Sequence, residues 1–304
     1  MTRGPHRYRI WAAGVGLLVM SSLALSACGE TGTEAGTANV SRTVRVRADS
    51  APAASPAPLA PAFPAPQKIL FVGDSVADTL DEALAAVAAD HGVPFTASVV
   101  AGCGSTGGTP ADESGVPFPH APVCRDGIPE TQQRMVAQEQ PDLVVWLSVW
   151  EISNRIVNGQ VEKVGSLEAN ELLIADIDEA VGRLTAGGAR LVFVAPAPPA
   201  AESGEPYDPE QAAALQRLAV LLREYARAHP ATVTVVELSD IVCPSGPPCP
   251  ADVGGFRPRA TDGNHFEGPG AAWVAEQLFP KLLGAAAMTS APEPTANAGV
   301  APAG

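Results

Sequence analysis

The chain has 304 residues, of which 46% are hydrophobic and 17% are charged, and its formal net charge is −14 at pH 7. Its central part is long enough for one ordinary α/β domain with a substantial hydrophobic core. A protein this acidic argues against nucleic acid as a partner and against anionic polymers as tightly held ligands.

The first 28 residues have the pattern of an export signal. A head with three Arg and no acid precedes an uncharged, mostly apolar run over residues 10–27. This pattern is typical of a secretory signal and not of a stable membrane span. The closing Leu25-Ser26-Ala27-Cys28 also resembles the lipobox of bacterial lipoproteins, which implies cleavage before Cys28 and a lipid anchor on its sulfur. An ordinary secretory signal and an uncleaved anchor are the alternatives. Removal of residues 1–27 would take the net charge to −17.

Low-complexity segments flank the central domain. Residues 28–66 are predicted to be a disordered tether, because Ala and Pro alternate over 51–66 so densely that neither a helix nor a strand ladder can form. Such spacers extend by about 3 Å per residue and would lift a domain away from the membrane. Residues 286–304 form a similar tail. The folded domain is therefore expected at residues 67–285.

Four cysteines remain besides Cys28, and an even number in an exported domain indicates disulfide bonds. Three pairings are possible, and we favour the local one. Its pairs are Cys103 with Cys124 and Cys243 with Cys249. A metal site is the competing interpretation, but no Cys-x-x-Cys spacing occurs, and oxidising compartments favour bridges. We therefore expect no metal ligand among them.

Hydrophobic patterns predict five strands that alternate with helices. The strands are expected at 68–72, 95–100, 143–149, 190–194 and 233–236. The helices are expected at 76–91, 129–139, 168–185, from 208 onward, and at 269–283. The third strand is almost wholly apolar, so we expect it to be buried on both faces. Regular alternation predicts a parallel sheet with helices on both sides, an α/β fold of three layers.

Two short stretches carry candidate chemistry. The first strand runs into Gly73-Asp74-Ser75, which places a serine at the sheet edge where open α/β folds bind ligands. Serine needs an oriented base to become a nucleophile. Asp262-Gly263-Asn264-His265 precedes the last helix, and an Asp three residues before a His can hold the imidazole so that its Nε2 is free to take a proton. Alone, each stretch is more often a turn or a surface pair.

Together, these stretches resemble the first and last sequence blocks of the SGNH (GDSL-type) hydrolase family over about residues 67–284. The resemblance implies a flavodoxin-like α/β/α sandwich with a five-stranded parallel sheet. It further implies Ser75 as nucleophile, His265 as general base and then acid, and Asp262 as the orienting carboxylate, with no metal or cofactor. The family's oxyanion donors would be the Ser75 N–H, a Gly after the second strand and an Asn after the third strand. Gly102 is the better positional match for the Gly, with Gly104 close behind.

The third block departs from the family pattern. After the third strand the chain reads Ser148-Val149-Trp150-Glu151, with Trp150 where the family usually has Asn. The indole N–H of Trp150 could replace that donor, Asn154 could reach in, or the third donor could be absent. Alternatively, Trp150 only packs beneath the site, and Glu151 and Arg155 form a helix-surface pair. The Trp-Glu ending also resembles SGNH domains attached to membrane acyltransferases that decorate cell-surface glycans.

The sequence thus predicts an exported, lipid-anchored serine esterase at the outer face of a bacterial cell membrane. Its substrate would be an acyl ester, with O-acetyl groups on cell-envelope glycans or lipids as candidates. Acyl transfer by the same residues is one alternative, and a non-catalytic binding lipoprotein is another. The long loop 105–127 is the expected specificity element, and Arg125 and Asp126 within it are expected to form a surface salt bridge.

Overall fold

The structure is a computed structural model that describes residues 68–201, 204 and 208–288. The predicted signal (1–27) and tether (28–66) lie outside the described residues, as does the tail from residue 289 onward. The first three residues of the predicted tail belong to the last helix, which ends at Met288. Among the described residues, no helix is both long and apolar enough to cross a bilayer.

Eight strands are found in the described part of the chain, and five of them form the main sheet. In chain order the strands are β1 (Ile69–Gly73), β2 (Phe95–Val99), β3 (Pro110–Ala111), β4 (Leu143–Leu147), β5 (Asn154–Val157), β6 (Gln160–Glu162), β7 (Arg190–Ala195) and β8 (Val233–Glu237). The main sheet has the order β2-β1-β4-β7-β8, and every neighbouring pair is parallel. All five predicted strands are therefore confirmed, with bounds that agree within two residues.

Six α-helices cover the two faces of this sheet. They are α1 (Ser75–Asp90), α2 (Ile128–Glu139), α3 (Leu167–Leu184), α4 (Pro209–Ala228), α5 (Ser239–Val242) and α6 (Gly268–Met288). Because successive strand residues point to opposite faces, β1 divides its side chains between two cores. Ile69 and Phe71 pack with α1 and α6, whereas Leu70 and Val72 pack with α2, α3 and α4. The predicted three-layer α/β/α sandwich is confirmed.

A second, small sheet forms where no strands were predicted. Strands β3, β5 and β6 pair in antiparallel fashion beside the carboxyl end of β4. Asn158 and Gly159, both with positive φ (51° and 77°), make the turn between β5 and β6. An Asn-Gly pair is a strong hairpin signal. The segment expected to be an irregular loop, 102–127, also contains β3 and a π-helical turn at Val123–Gly127.

Both predicted disulfide pairs are present. Cys103 bonds to Cys124 with an S–S distance of 2.11 Å, and Cys243 bonds to Cys249 at 2.14 Å. The first bridge ties the segment after β2 to the π-helical turn before α2. It therefore orders the long loop at the carboxyl edge of the sheet.

Candidate active site

Ser75 is the first residue of α1, directly beyond the end of β1. The turn requires glycine at position 73, because a Cβ there would lie 1.9 Å from the Leu147 carbonyl oxygen and 2.4 Å from the Ala77 Cβ. Asp74 caps the helix by accepting a hydrogen bond from the Val76 N–H at 2.9 Å. Ser75 thus lies at the positive end of the α1 dipole, where developing negative charge is stabilised.

Asp74 also joins the serine turn to the end of β4. Its carboxylate is fully buried and accepts hydrogen bonds from the Ser148 hydroxyl at 3.0 Å, the Val149 N–H at 2.5 Å and the Trp150 N–H at 2.8 Å. Burial raises the pKa of Asp74, and these hydrogen bonds oppose the rise. The sequence predicts Asp74 only as part of a turn, and its position directly before a helix is the signal for a capping role.

Ser75, His265 and Asp262 form one hydrogen-bonded chain. The His265 Nε2 lies 2.8 Å from the Ser75 Oγ, and the His265 Nδ1 lies 2.5 Å from the Asp262 Oδ2. Burial alone would raise the pKa of Asp262, but hydrogen bonds from Asn264 and His265 lower it below its usual value. A proton held on Nδ1 by Asp262 leaves Nε2 as an acceptor for the serine proton. This is the geometry of a serine activated for acyl transfer.

The Arg259 side chain supports the turn that carries His265. This side chain is 2% exposed and donates hydrogen bonds to the carbonyl oxygens of Gly263, at 2.9 Å, and of Pro198. Burial lowers the pKa of Arg259 to about 10, and the charge of Asp262 opposes that shift. Thr79 of α1 adds a second support, because its Oγ1 accepts the Phe266 N–H at 3.1 Å. Neither residue was predicted, since no sequence pattern distinguishes a buried Arg or Thr from an exposed one.

Gly102, the predicted oxyanion donor, lies in the turn after β2. It has a φ of +80°, and its carbonyl oxygen lies 2.9 Å from the His120 Nε2. A Cβ at this position would come within 3.0 Å of that nitrogen, so glycine is required for both conformation and space. Within the described part of the chain, the N–H groups of Ser75 and Gly102 have no hydrogen-bond acceptor. Both therefore stay candidate donors for a substrate oxygen.

The two alternative donors lie in different settings. The Trp150 ring packs edge-on against Phe118 and His120, with centroid distances of 5.6 and 5.5 Å. The Asn154 amide holds the small sheet together, because its Nδ2 donates to the Asp112 carbonyl oxygen at 3.4 Å and its Oδ1 accepts the Val164 N–H at 3.1 Å. The structure therefore keeps Trp150 beside the serine turn and commits Asn154 to the backbone of the small sheet.

A groove of about 880 Å³ borders Trp150, whose N–H donates to Asp74 of the serine turn. Trp150 and Phe118 form part of its wall, and the small sheet and the start of α4 form the rest. Six of the sixteen described residues that line it are charged: Asp112, Glu113, Lys163, Asp208, Glu210 and Arg217. Gln211 in the groove also accepts a hydrogen bond from Asn264, the neighbour of His265, at 3.5 Å. The groove thus borders one residue that contacts each loop, Trp150 on the serine side and Gln211 on the histidine side, and Ser75, Asp262 and His265 are not among its described lining residues.

Two predicted charge pairs have different outcomes. Arg125 and Asp126 form the expected surface salt bridge, with side chains 56% and 65% exposed. Glu151 and Arg155 do not form the helix-surface pair considered as an alternative. Both are buried, at 3% and 9% exposure, and Arg155 instead pairs with Asp176 of α3. The segment folds back into β5 and does not continue as a helix, so these side chains point inward.

The described residues include no cluster of three or more His, Cys, Asp or Glu side chains that could hold a metal ion. The Cys103–Cys124 and Cys243–Cys249 sulfurs are used in disulfide bonds.

Comparisons with known proteins agree with the sequence resemblance. A family model described as "SGNH domain (fused to AT3 domains)" matches residues 45–280. No curated protein sequence matches the chain. Among solved structures, the periplasmic domain of a lipopolysaccharide acetyltransferase from Salmonella ser. Paratyphi A is 14% identical, with 71% of this chain and 84% of that chain covered and a TM-score of 0.46.

Two further solved structures match this chain with similar identity, coverage and TM-score. A GDSL-like lipase from Bacteroides thetaiotaomicron is 14% identical, with 72% of this chain and 88% of that chain covered and a TM-score of 0.45. An acetyl xylan esterase is 12% identical, with 70% and 98% covered and a TM-score of 0.48.

Proposed function

Because this chain belongs to the SGNH domain family, we propose that it is a serine esterase that cleaves acyl esters through an acyl-enzyme on Ser75. One observation carries the proposal: the 2.8 Å contact between the His265 Nε2 and the Ser75 Oγ, with Asp262 on the opposite ring nitrogen. A serine hydroxyl, an imidazole and a carboxylate in this order are what nucleophilic acyl transfer requires.

The reaction would proceed in two steps. In the first, the Ser75 Oγ bonds to the ester carbonyl carbon while its proton passes to the His265 Nε2, and the carbonyl oxygen becomes an oxyanion. The tetrahedral species then breaks its bond to the alcohol oxygen, which receives the proton from Nε2. In the second step, water attacks the acyl-Ser75 ester carbon while the His265 Nε2 takes its proton. The bond between that carbon and the Ser75 Oγ then breaks, the Oγ takes the proton back from Nε2, and the acid product leaves.

The oxyanion would be stabilised by the N–H groups of Ser75 and Gly102. Ser75 offers its N–H at the first turn of α1, where the helix dipole adds to the effect. Donors placed in advance for the charge of the transition state usually contribute the largest part of such catalysis, and the loss of one costs about 10²–10³ in rate. Trp150, next to the same turn, is the third candidate donor.

We further propose that the alcohol part of the substrate is a polar glycan rather than a lipid. The groove bordered by Trp150 contains six charged side chains, which a long acyl chain would have to desolvate. Carboxylates and amides such as those of Asp208 and Gln211 suit sugar hydroxyls, and the Trp150 ring offers an apolar face. The acyl group itself would be small, with O-acetyl as the candidate.

Acyl transfer is the second candidate function. The acyl-enzyme would be the same, but a sugar hydroxyl would take the place of water in the second step. The groove bordered by Trp150 supports this possibility, because at about 880 Å³ it is large enough for a sugar acceptor. We also propose that the protein works outside the cytoplasm, anchored through Cys28. The two disulfide bonds support this location.

The decisive experiment compares the full chain with its Ser75→Ala variant. We expect a fluorophosphonate probe to label the unmodified protein and p-nitrophenyl acetate to be hydrolysed, and both signals to disappear in Ser75→Ala. A Ser105→Ala variant is the matched control, because Ser105 is buried in the neighbouring loop and its hydroxyl has no hydrogen-bond partner among the described residues. Absence of labelling in the unmodified protein would overturn the enzyme proposal in favour of a binding lipoprotein.

A second measurement separates hydrolase from transferase. The acyl-enzyme is formed from p-nitrophenyl acetate in the presence of a soluble oligosaccharide, and the products are analysed by mass spectrometry. Acetylated sugar would identify a transferase. Free acetate alone, at an unchanged rate, would identify an esterase.

A further inference from the structure

A cluster of buried polar side chains lies beneath the loop that carries Gly102, and the mechanism above does not use it. The cluster surrounds the segment 104–106. Ser105 and Thr106 of that segment are only 2% and 6% exposed, and so are unusually buried for polar residues in a loop. Buried polar groups are usually paired inside the protein, and here all the pairs found involve the backbone of the segment and the Thr106 hydroxyl, whereas the Ser105 hydroxyl has no partner among the described residues.

Three cationic or amide side chains from other elements meet this segment. The Gln132 amide of α2 donates to the Ser105 carbonyl oxygen at 2.6 Å. The Arg155 guanidinium of β5 donates to the Thr106 hydroxyl at 2.6 Å. Arg183 of α3 donates to the Thr106 carbonyl oxygen at 3.4 Å. The segment is thus held by α2, α3 and β5 at once.

Glu151 also contacts this segment. Its Oε1 accepts the Thr106 N–H at 3.4 Å, and a Cβ at Gly104 would lie only 3.0 Å from the same oxygen. The other carboxyl oxygen is buried and has no partner among the described residues. Burial of a carboxyl group is costly, and Ser148 and the charge of Arg155 offset only part of that cost, because the pKa of Glu151 stays raised. Such a residue calls for a reason to be buried.

The position of Glu151 in the chain gives that reason. It directly follows Trp150, whose N–H donates to Asp74 at 2.8 Å, and Asp74 precedes the proposed nucleophile. The segment it contacts begins two residues after Gly102. The short turn from Ser148 to Glu151 therefore connects the two loops that carry the proposed oxyanion donors.

We propose that Glu151 and Arg155 are positioning residues that set the Gly102 N–H relative to Ser75. Arg155 is itself fixed by its ion pair with Asp176. This inference rests on the proposed function, because it assigns the pair a part in that reaction. Neither residue touches the reacting atoms. A donor must meet the oxyanion at about 2.7–3.1 Å, so a small displacement of the Gly102 loop weakens catalysis without abolishing it.

The test uses the full chain with Glu151→Ala and Glu151→Gln, and with Glu171→Ala on the exposed face of α3 as the matched control. Steady-state hydrolysis of p-nitrophenyl acetate gives kcat and KM. Hydrogen exchange of the peptide covering residues 100–107 reports the loop directly.

For Glu151→Ala we expect kcat to fall by about 10- to 100-fold, less than for complete loss of a donor, with KM changed by less than about threefold. Exchange over residues 100–107 should accelerate. Glu151→Gln should keep kcat within about threefold of the unmodified protein, since its amide oxygen can still accept the Thr106 N–H. Glu171→Ala should change neither measurement.

The inference would be overturned if Glu151→Ala left kcat and loop exchange unchanged, or if Glu151→Gln lost as much activity as Glu151→Ala. Should Glu151→Ala fail to fold, Thr106→Val removes the hydroxyl that Arg155 binds while keeping the side-chain shape, with Thr109→Val as its control. The same fall in kcat is expected for Thr106→Val. An unmodified protein without Ser75-dependent turnover would contradict the proposed function, whereas the exchange measurement would still decide whether Glu151 holds the loop.

Discussion

At the candidate site, Asp74 connects the start of α1 with the end of β4, which is distant in the chain. One carboxyl oxygen caps α1, and the other collects three hydrogen bonds from the end of β4. A side chain with only two rotatable bonds can make both sets of contacts only if the two loops keep a constant separation. Asp74 therefore fixes Ser75 against the turn that contains Trp150 and Glu151.

One substitution at Trp150 can distinguish the role of the indole N–H from the role of the ring. We predict that Trp150→Phe keeps kcat within about threefold, because phenylalanine can preserve the edge-on packing against Phe118 and His120. Hydrolysis of p-nitrophenyl acetate measures this. Trp273→Phe in α6 serves as the control for loss of an indole elsewhere. A fall of about 10²–10³ in kcat for Trp150→Phe alone would instead identify the indole N–H as an oxyanion donor.

Glu151 should also give the protein a pH-dependent stability. Burial, with the nearby charge of Asp74, raises the pKa of Glu151 above its ordinary value of 4.5. A carboxyl whose pKa is higher in the folded state binds its proton more tightly there. The folded state is therefore favoured below pH 4.5 and loses that advantage as the pH rises from 4.5 toward the raised pKa.

Glu151→Gln removes this titration. We predict that the free energy of unfolding of Glu151→Gln, relative to the unmodified protein, increases between pH 4 and pH 8. Urea unfolding at several pH values measures it, and the other carboxyl groups cancel in the difference. A difference that stays constant over this range would contradict the prediction.

Among the structural elements, the small sheet and the long loop shape the site more than the main sheet does. Asn154 of β5 and the two residues that follow β6, Lys163 and Val164, form one side of the groove, and β3 holds the loop against β5. The Cys103–Cys124 bridge ties the other end of that loop next to Gly102. The main sheet provides the edge that carries Ser75, and the small sheet and the long loop surround it.

The two disulfide bonds should differ in their contributions to stability. The sequence separations are 21 residues for Cys103–Cys124 and 6 for Cys243–Cys249. Loop-closure entropy then predicts a loss of about 3 kcal/mol for the double Ser variant of the first pair and about 2 kcal/mol for the second. Urea unfolding without reductant measures both.

Only the first of these variants should also lower kcat, because Cys103 follows Gly102 directly. The second variant is therefore the control for general destabilisation. An equal loss of kcat in both variants would argue against a special role for the Cys103–Cys124 bridge in the site.

At the scale of the whole molecule, export and anchoring are proposed from residues outside the described structure. We predict that Cys28→Ser moves the protein from the membrane fraction to the soluble fraction, because it removes the sulfur that would carry the lipid. Immunoblots of fractionated cells measure this, with Ser55→Ala in the tether as the control. A Cys28→Ser protein that stays in the membrane fraction would indicate an uncleaved anchor instead.

Much of the fold could be predicted because its signals are local. The apolar run before Gly73-Asp74-Ser75, the alternation of strands with helices, and the close spacing of the cysteine pairs each depend on residues near one another in the chain. The Asn158-Gly159 pair is an equally local signal, which predicts the hairpin between β5 and β6. For the same reason, Asp262 and His265 could be paired from their spacing of three residues.

Tertiary structure alone decided the remaining parts of the site. Glu151 lies 45 residues from Thr106, and the Asp74 carboxylate meets the Trp150 N–H across 76 residues. Glu, Arg and Thr are most often exposed, so their types gave no sign of burial. Whether such a group becomes a surface charge or part of a buried support depends on how distant elements pack. That packing is what brings Ser75 and His265, 190 residues apart, within 2.8 Å.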